Sequence, residues 1–280
     1  MSRWAPRADV VGLSRRPPAG HSAGGHLTCD LRDAETVRRA LEAVRPDVIV
    51  HAQAMSDVDR CEQDPTEAWA MNVTTAEHLC LARDPLTLLV AVSTDYVFDG
   101  TKGRPYDEAD APHPVSVYGR SKLEAERVIL AQSNTYVVRP STLFGPARMN
   151  FCDLIIQRAR QGEPIEAFVD QTTSPTYTED LAEGTEQLVE AIRRARAGDL
   201  PRIYHLTNAG SCRRVEFAER VLELVGAPRS LIRSIRMAEQ RRPAQRPAYS
   251  ALTSRHLGAT IGRTLRPWDE ALQAYLARHP

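Results

Sequence analysis

"LTLLVAVSTDYVFDG", residues 86–100, is an unbroken apolar run that breaks off at Ser93, Thr94 and Asp95. A strand covered on both faces reads as a continuous apolar run rather than an alternating one, which points to a parallel sheet with helices on each side. Upstream lie "ADVVGLS" (8–14), the helical pattern "DAETVRRALEAV" (33–44), "DVIVHA" (47–52) and a second helical pattern, "DPTEAWAMNVTTAEHLCLA" (64–82). Downstream, a polar loop to about Val115 leads into the helix "SVYGRSKLEAERVILAQ" (116–132) and the strand "TYVVRPS" (135–141). Strands alternating with helices predict an α/β chain with a doubly wound parallel sheet. The remainder is less regular, with "EAFVDQTTSPTYTEDLAEGTEQLVEAI" (166–192), a strand in "RIYHLTN" (202–208) and a last helix after Pro267. The predicted division is a nucleotide-binding domain over residues 1–145, with returns near 178–207. A smaller α/β substrate domain takes 146–177 and 208–280, and a cleft lies between the two.

Composition narrows the function. Thirty-six Lys and Arg balance thirty-six Asp and Glu, and 42% of the residues are hydrophobic, so a soluble globular enzyme or binding protein fits and a polyanion partner does not. The basic runs "RRARAGDLPR" (193–202) and "EQRRPAQRPAYS" (239–250) carry no nucleic-acid motif and read as solvated faces. Five cysteines, Cys29, Cys61, Cys80, Cys152 and Cys212, are scattered without metal-ligand or disulfide spacing, which suits a reducing cytoplasm. The amino terminus has no apolar run long enough for a signal peptide or a membrane span. Asp57, Asp59 and Glu62 form one acidic turn that reads as capping and solvation rather than a metal site.

Chemistry in a doubly wound sheet collects at the carboxyl ends of strands, where Ser93, Thr94 and Asp95 fall. Tyr118 and Lys122, at i and i+4, share a helix face. Lys122 is one of only two lysines, with Lys102, in an arginine-rich chain. A free tyrosine titrates near about 10, and a neighbouring cation lowers that value, so Lys122 is expected to tune Tyr118. A strand-end hydroxyl then holds the reacting oxygen while Tyr118 gives or takes its proton as a cofactor exchanges hydride.

These residues resemble a known family. "VSTDYVFDGTKGRPYDEADAPHPVSVYGRSKLEAE" (92–126) is similar to the active-site region of the dTDP-4-dehydrorhamnose reductases, extended short-chain dehydrogenases with an NAD(P)-binding Rossmann-like fold. Further matches are "HAQAMSDVDRCEQDPTEAWAMNV", "DQTTSPTYTEDLA", "IYHLTNAG", "RPAQRPAYSALTS" and "LRPWDEALQAYL". The resemblance implies Thr94, Tyr118 and Lys122 as the catalytic set, with Asp95 and Thr142 beside the sugar. It implies reduction of a nucleotide-linked 4-keto-6-deoxysugar, with Tyr118 protonating the C4 oxygen, and a possible homodimer.

On the same resemblance the cofactor meets Asp30 and Leu31 at the adenine, Ala52, Gln53 and Ala54 at a small-residue turn, Asn72, Ser93, Tyr118 and Lys122. Ser14, Arg15 and Arg16 stand where an acidic residue would bond a ribose 2′-hydroxyl, and arginines there favour NADPH over NADH. Two departures stand out: Thr142 occupies a place where these reductases commonly present an aromatic residue, and a strand with a glycine-rich phosphate loop is missing from the amino-terminal end of the pattern. "PPAGHSAGGH" (17–26) is its nearest substitute and reads as a loop, so the chain as written is expected to bind a dinucleotide weakly. The missing strand is expected between the strands of "DVVGLS" and "DVIVHA" or their neighbours. A second class of function is a non-catalytic subunit on the same fold, as in the methionine adenosyltransferase β subunits. A third, an epimerase or dehydratase, fits Thr94-Asp95-Tyr96 less well than reduction does.

Overall fold

The structure is a computed structural model that describes residues 4, 7–17, 25–146, 148–196 and 198–279. Most of the "PPAGHSAGGH" loop therefore lies outside the described residues. Strands are numbered β1 (Val11–Ser14), β2 (Gly25–Thr28), β3 (Val48–His51), β4 (Leu88–Val92), β5 (Thr135–Arg139) and β6 (Ile203–His205). Helices of eight residues or more are α1 (Ala34–Val44), α2 (Thr75–Ala82), α3 (Val117–Leu130), α4 (Phe151–Gln161), α5 (Thr178–Arg194), α6 (Arg214–Leu224) and α7 (Trp268–Arg278).

The run that opens at Leu88 is the second strand in from the edge of a four-stranded parallel sheet, ordered β6-β5-β4-β3. Its side chains alternate between two covered faces, as the pleat requires. Leu89 and Ala91 pack with Ala76 of α2 and with Ala125 and Ile129 of α3. Leu88 and Val90 pack with Leu188 and Ile192 of α5 and with Leu206. Each fully buried Leu or Val contributes about 1.5–3 kcal/mol, which fixes the strand's register against both helix layers.

The sheet is in two parts. β1 and β2 pair with each other, in parallel, and neither joins β3. Among the described residues one edge of β3 pairs with no strand, and Val50 of β3 is 38% exposed. Among those residues the two parts do not pair with each other. Leu13 and Ile49 pack against one side-chain cluster that includes Leu31, Val37, Leu41 and Leu79.

A second core gathers Phe144, Cys152, Ile155, Ile165, Tyr177, Phe217, Val221, Leu222, Leu272 and Tyr275. It draws on the carboxy-terminal segments that the sequence sets apart, but the chain also returns to the first unit once more. Leu252 packs with Val97, Phe98 and Tyr106, and Leu257 and Leu265 pack under β4 and α5. Residues 251–265, assigned from the sequence to the substrate domain, thus pack on the four-stranded sheet, on α5 and on the loop after β4.

The helical pattern over 64–82 is broken into Pro65–Trp69, a wide π turn at Ala70–Thr74, and α2. Asn72 sits in that wide turn, where the backbone bulge presents its side chain to the loop after β3.

Candidate active site

Three pieces of chain meet at the carboxyl ends of β3, β4 and β5. Thr94 leaves β4 in extended conformation, and its hydroxyl oxygen accepts from the Tyr96 amide at 3.1 Å, closing a tight 3-10 turn over Asp95–Val97. Helix α3 crosses that turn. Ser116 caps it by accepting from the Gly119 amide at 3.2 Å, and Glu62 accepts from the Val117 amide at 2.9 Å. Gly119 allows the approach: a Cβ there would stand 2.2 Å from the Tyr96 carbonyl oxygen. Tyr118 and Lys122 are thereby delivered, both buried, into the same cleft as Thr94.

The cleft measures about 1080 Å³ and is walled by both units, with Ala52, Ala54, Ser93, Thr94, Asp95, Tyr118, Lys122 and Thr142 among its lining residues. The remaining sequence-assigned residues lie outside that lining. Ser14 bonds His26 at 2.9 Å and donates to the Arg16 carbonyl oxygen at 2.6 Å, and Arg15 and Arg16 are exposed beside it. Asp30 pairs with Arg32, which holds its carboxyl down at about 2, and Arg15 adds to that pull. Leu31 is a core residue. Gln53 turns toward Thr75 and Met71. Asn72 is 1% exposed and spends its whole amide, accepting from the Met55 amide at 2.8 Å and donating to the Met55 carbonyl and the Ser121 hydroxyl. It fastens the 52–55 turn to α3 rather than facing the cleft.

The electrostatics differ from the sequence expectation at the tyrosine. Burial raises the Tyr118 phenol well above its ordinary range, and a bond with Thr94 opposes this. Burial brings the Lys122 ammonium down to about 8, with Glu126 opposing, and its Nζ donates to the Val92 carbonyl oxygen at 2.8 Å. The lysine thus anchors the helix, and the tyrosine is a neutral phenol. That is the protonation state a proton donor needs.

Asp95 lines the cleft with its carboxylate engaged beneath Thr94. It is 3% exposed, Oδ1 accepts from Thr94 at 3.1 Å, and Oδ2 accepts from Ser141 at 2.8 Å and Ser250 at 2.6 Å. Burial raises its carboxyl to about 6 against those three hydroxyls. Asp95 is a buried hub under Thr94 that binds the ends of β4 and β5 to the carboxy-terminal segment. Thr142, on the wall above, holds a left-handed φ of 29°, an outlier for a β-branched residue.

The acidic turn has other duties. Asp57 caps the helix Val58–Gln63, Asp59 pairs with Arg246 at 2.8 Å, and Glu62 caps α3. The run "EQRRPAQRPAYS" is corrected more sharply: Arg242 and Arg246 line the cleft instead of forming a solvated face, and Arg214 joins them. The repeated Arg-Pro in that run was a usable signal. Nothing in the sequence distinguishes Arg214.

A dinucleotide's nicotinamide and ribose find suitable groups here. Ser93 Oγ is buried without a partner, Lys122 Nζ has donors to spare, and Ala52 and Ala54 leave room beside them. Among the described residues no glycine-rich turn between a strand and a helix lines the cleft.

Fold and site together define an NAD(P)-dependent oxidoreductase of the short-chain dehydrogenase/reductase class. The model of the RmlD substrate binding domain matches residues 4–279, and the chain belongs to that family. It is 37% identical over 265 residues to the dTDP-4-dehydrorhamnose reductase of Streptomyces griseus, covering 93% of this chain and 86% of the relative. It is 33% identical over 249 residues to the spore coat polysaccharide biosynthesis protein SpsK of Bacillus subtilis, covering 88% and 84%. Among solved structures, a dTDP-4-dehydrorhamnose reductase from Bacillus anthracis in complex with NADP superposes with a TM-score of 0.84 at 26% identity, covering 96% of this chain and 98% of that one.

Proposed function

We propose that this protein reduces the C4 keto group of a nucleotide-linked 4-keto-6-deoxysugar, with Tyr118 as proton donor. The observation that carries the reading is a buried, neutral Tyr118 held between Thr94 and the helix anchored by Lys122, in a cleft large enough for a nucleotide sugar. The family and the named relatives supply the substrate class.

Hydride for the carbonyl carbon would come from a nicotinamide dinucleotide when one is bound. Tyr118 donates its phenolic proton to the carbonyl oxygen as charge builds there, so that no free alkoxide forms. Thr94 lies beside the phenol, and its hydrogen bond favours the phenolate, which eases transfer of the Tyr118 proton. Lys122, charged at neutral pH, stabilises the phenolate left behind. Ser93, Ala52 and Ala54 form the wall for the nicotinamide ribose. The exposed Arg15 and Arg16, beside Asp30, offer a 2′-phosphate two guanidinium forks, which favours NADPH.

The test is an assay of reduced-nicotinamide consumption with a dTDP-4-keto-6-deoxysugar, with the product identified by NMR. Tyr118→Phe should lower kcat by about 10²–10⁴-fold, the usual loss for a general acid, while substrate still binds. Turnover of the Phe variant at the parent rate would remove Tyr118 from the mechanism.

A further inference from the structure

We infer that Glu126 is a positioning residue for the reduction: clamped by Arg139, its carboxylate keeps the Lys122 ammonium charged from across a small buried cavity. The inference rests on the reductase reading only for the use to which that charge is put.

Glu126 stands one helical turn beyond Lys122 on α3, so the two share a face as Tyr118 and Lys122 do. Both are buried. Next to them lies a cavity of about 10 Å³, room for about one water molecule and for no part of a dinucleotide or a sugar. Its polar lining is His51, Ser93, Lys122 and Glu126, and the rest of its wall is apolar side chains of β4, β5 and α3. Glu126 is fixed in that wall. Its two oxygens accept from Nε and Nη2 of the buried Arg139, on β5, at 2.9 and 2.5 Å, and the Arg139 guanidinium stands 5.3 Å from the centre of the Phe98 ring. Of the pair, it is Glu126 that lines the cavity with Lys122.

Burying an arginine and a glutamate together is costly, and apolar residues of similar volume often serve stability as well or better. A fixed negative charge one turn from a buried ammonium gives the pair a use that stability does not supply, and the low dielectric of the interior strengthens the attraction. The other titratable groups facing Lys122 come from β3, from the loop after β4 and from α3 itself. His51, the last residue of β3, is held down at about 3 by burial and by the Lys122 charge, so it is neutral through the working range. Tyr118 is a neutral phenol. Asp95 carries charge above about 6, but it lines the large cleft rather than this cavity, and Thr94, Ser141 and Ser250 engage its oxygens. Burial pulls Lys122 down, and Glu126 opposes the pull and leaves it at about 8. Glu126 thus acts on the reaction through Lys122 and the phenolate that Lys122 stabilises, without touching substrate.

The chain has only two lysines, Lys102 and Lys122, so selective isotopic labelling of lysine Cε gives two resonances, and Lys102→Arg assigns them. The experiment follows the Lys122 resonance by NMR across pH in the full chain, beside the pH profile of kcat/KM. Glu126→Gln alone strands the buried Arg139 charge, so the deciding variant is Glu126→Met with Arg139→Met, which removes both charges at once. Its Lys122 midpoint should fall below the parent's by about one pH unit, the scale on which a neighbouring charge moves a buried group. The alkaline limb of kcat/KM should fall with it, so that activity at pH 8, relative to the same variant at pH 6, is about fivefold below the parent's. A parent-like Lys122 midpoint overturns the inference, and so does a shifted midpoint with an unmoved alkaline limb. A shifted midpoint together with no ketosugar reduction by the parent overturns the reductase reading and leaves the coupling of Glu126 to Lys122 standing.

Discussion

Lys122 Nζ donates to the Val92 carbonyl oxygen at 2.8 Å, tying the helix that carries Tyr118 to the last residue of the strand that delivers Thr94. The bond keeps a buried ammonium in place at the junction of the catalytic set, and burial has already moved that ammonium from 10.5 down to about 8.

Activity and stability should respond oppositely to this group. In the free enzyme Lys122 loses its proton as pH rises past about 8, so kcat/KM should fall on the alkaline side with that midpoint, long before Tyr118 titrates. Between about 8 and 10.5 the unfolded chain binds more protons than the folded one, so the contribution of Lys122 to stability rises with pH. A pH–rate profile beside denaturant midpoints over the same range checks both. An alkaline limb unchanged in Lys122→Met, measured on residual activity, counts against the assignment.

Asp95 has the opposite sign in an acid window. Its folded carboxyl titrates at about 6 against an ordinary 3.8, so from about pH 4 to 6 the folded state holds a proton that the unfolded state releases. Stability from this group is therefore fully present below about 4 and is lost as pH rises to 6, by about 3 kcal/mol. Asp95→Asn should flatten that slope in urea titrations, and a variant whose slope matches the parent's would show that Asp95 is not the group responsible.

What the sequence disclosed follows from where each signal originates. β4 and α3 were legible because a doubly buried strand and an i, i+4 pair are local patterns, and Ser116 marked the helix start three residues before Gly119. The roles of Asp95 and Asn72 were not, since each is set by partners far along the chain: Ser250 lies 155 residues from Asp95, and Ser121 lies 49 from Asn72. Charge in "EQRRPAQRPAYS" suggested solvent, because composition carries no information about which wall of a cleft a loop will form. Residues 251–265 illustrate the same limit, as their docking on the first unit depends on Phe98, Tyr106 and α5 rather than on their own periodicity.

Asn72 makes a stability prediction. Removing its amide in Asn72→Ala leaves the Met55 amide and carbonyl and the Ser121 hydroxyl without that partner in a buried place. Each such loss costs about 1–3 kcal/mol, so a clear drop in Tm is expected, together with faster hydrogen exchange at Met55. Ala52 and Ala54 of that turn line the cleft on the side proposed for the cofactor, so KM for NADPH should rise more than KM for the sugar. A variant with parent-like Tm would mean that the bonds to Met55 contribute nothing net.

Gly119 separates geometry from stability most directly. A methyl group there would sit 2.2 Å from the Tyr96 carbonyl oxygen and 2.9 Å from Pro114 Cβ, and neither is the end of a flexible side chain. In Gly119→Ala the first turn of α3 must move away from the 95–97 turn. Such overpacking typically costs about 1–3 kcal/mol, partly repaid because alanine favours the helix by about 1 kcal/mol over glycine. The chain should therefore fold with a modest net loss. Tyr118, adjacent in the same turn, moves with the helix and leaves Thr94, and a misplacement of about 1 Å can cost about 10²-fold in rate. The expected result is a variant with near-parent circular dichroism, a small fall in Tm and a kcat reduced by about 10–100-fold. Parent-like kcat would show that the close crossing of α3 over Tyr96 does not set the position of the proton donor.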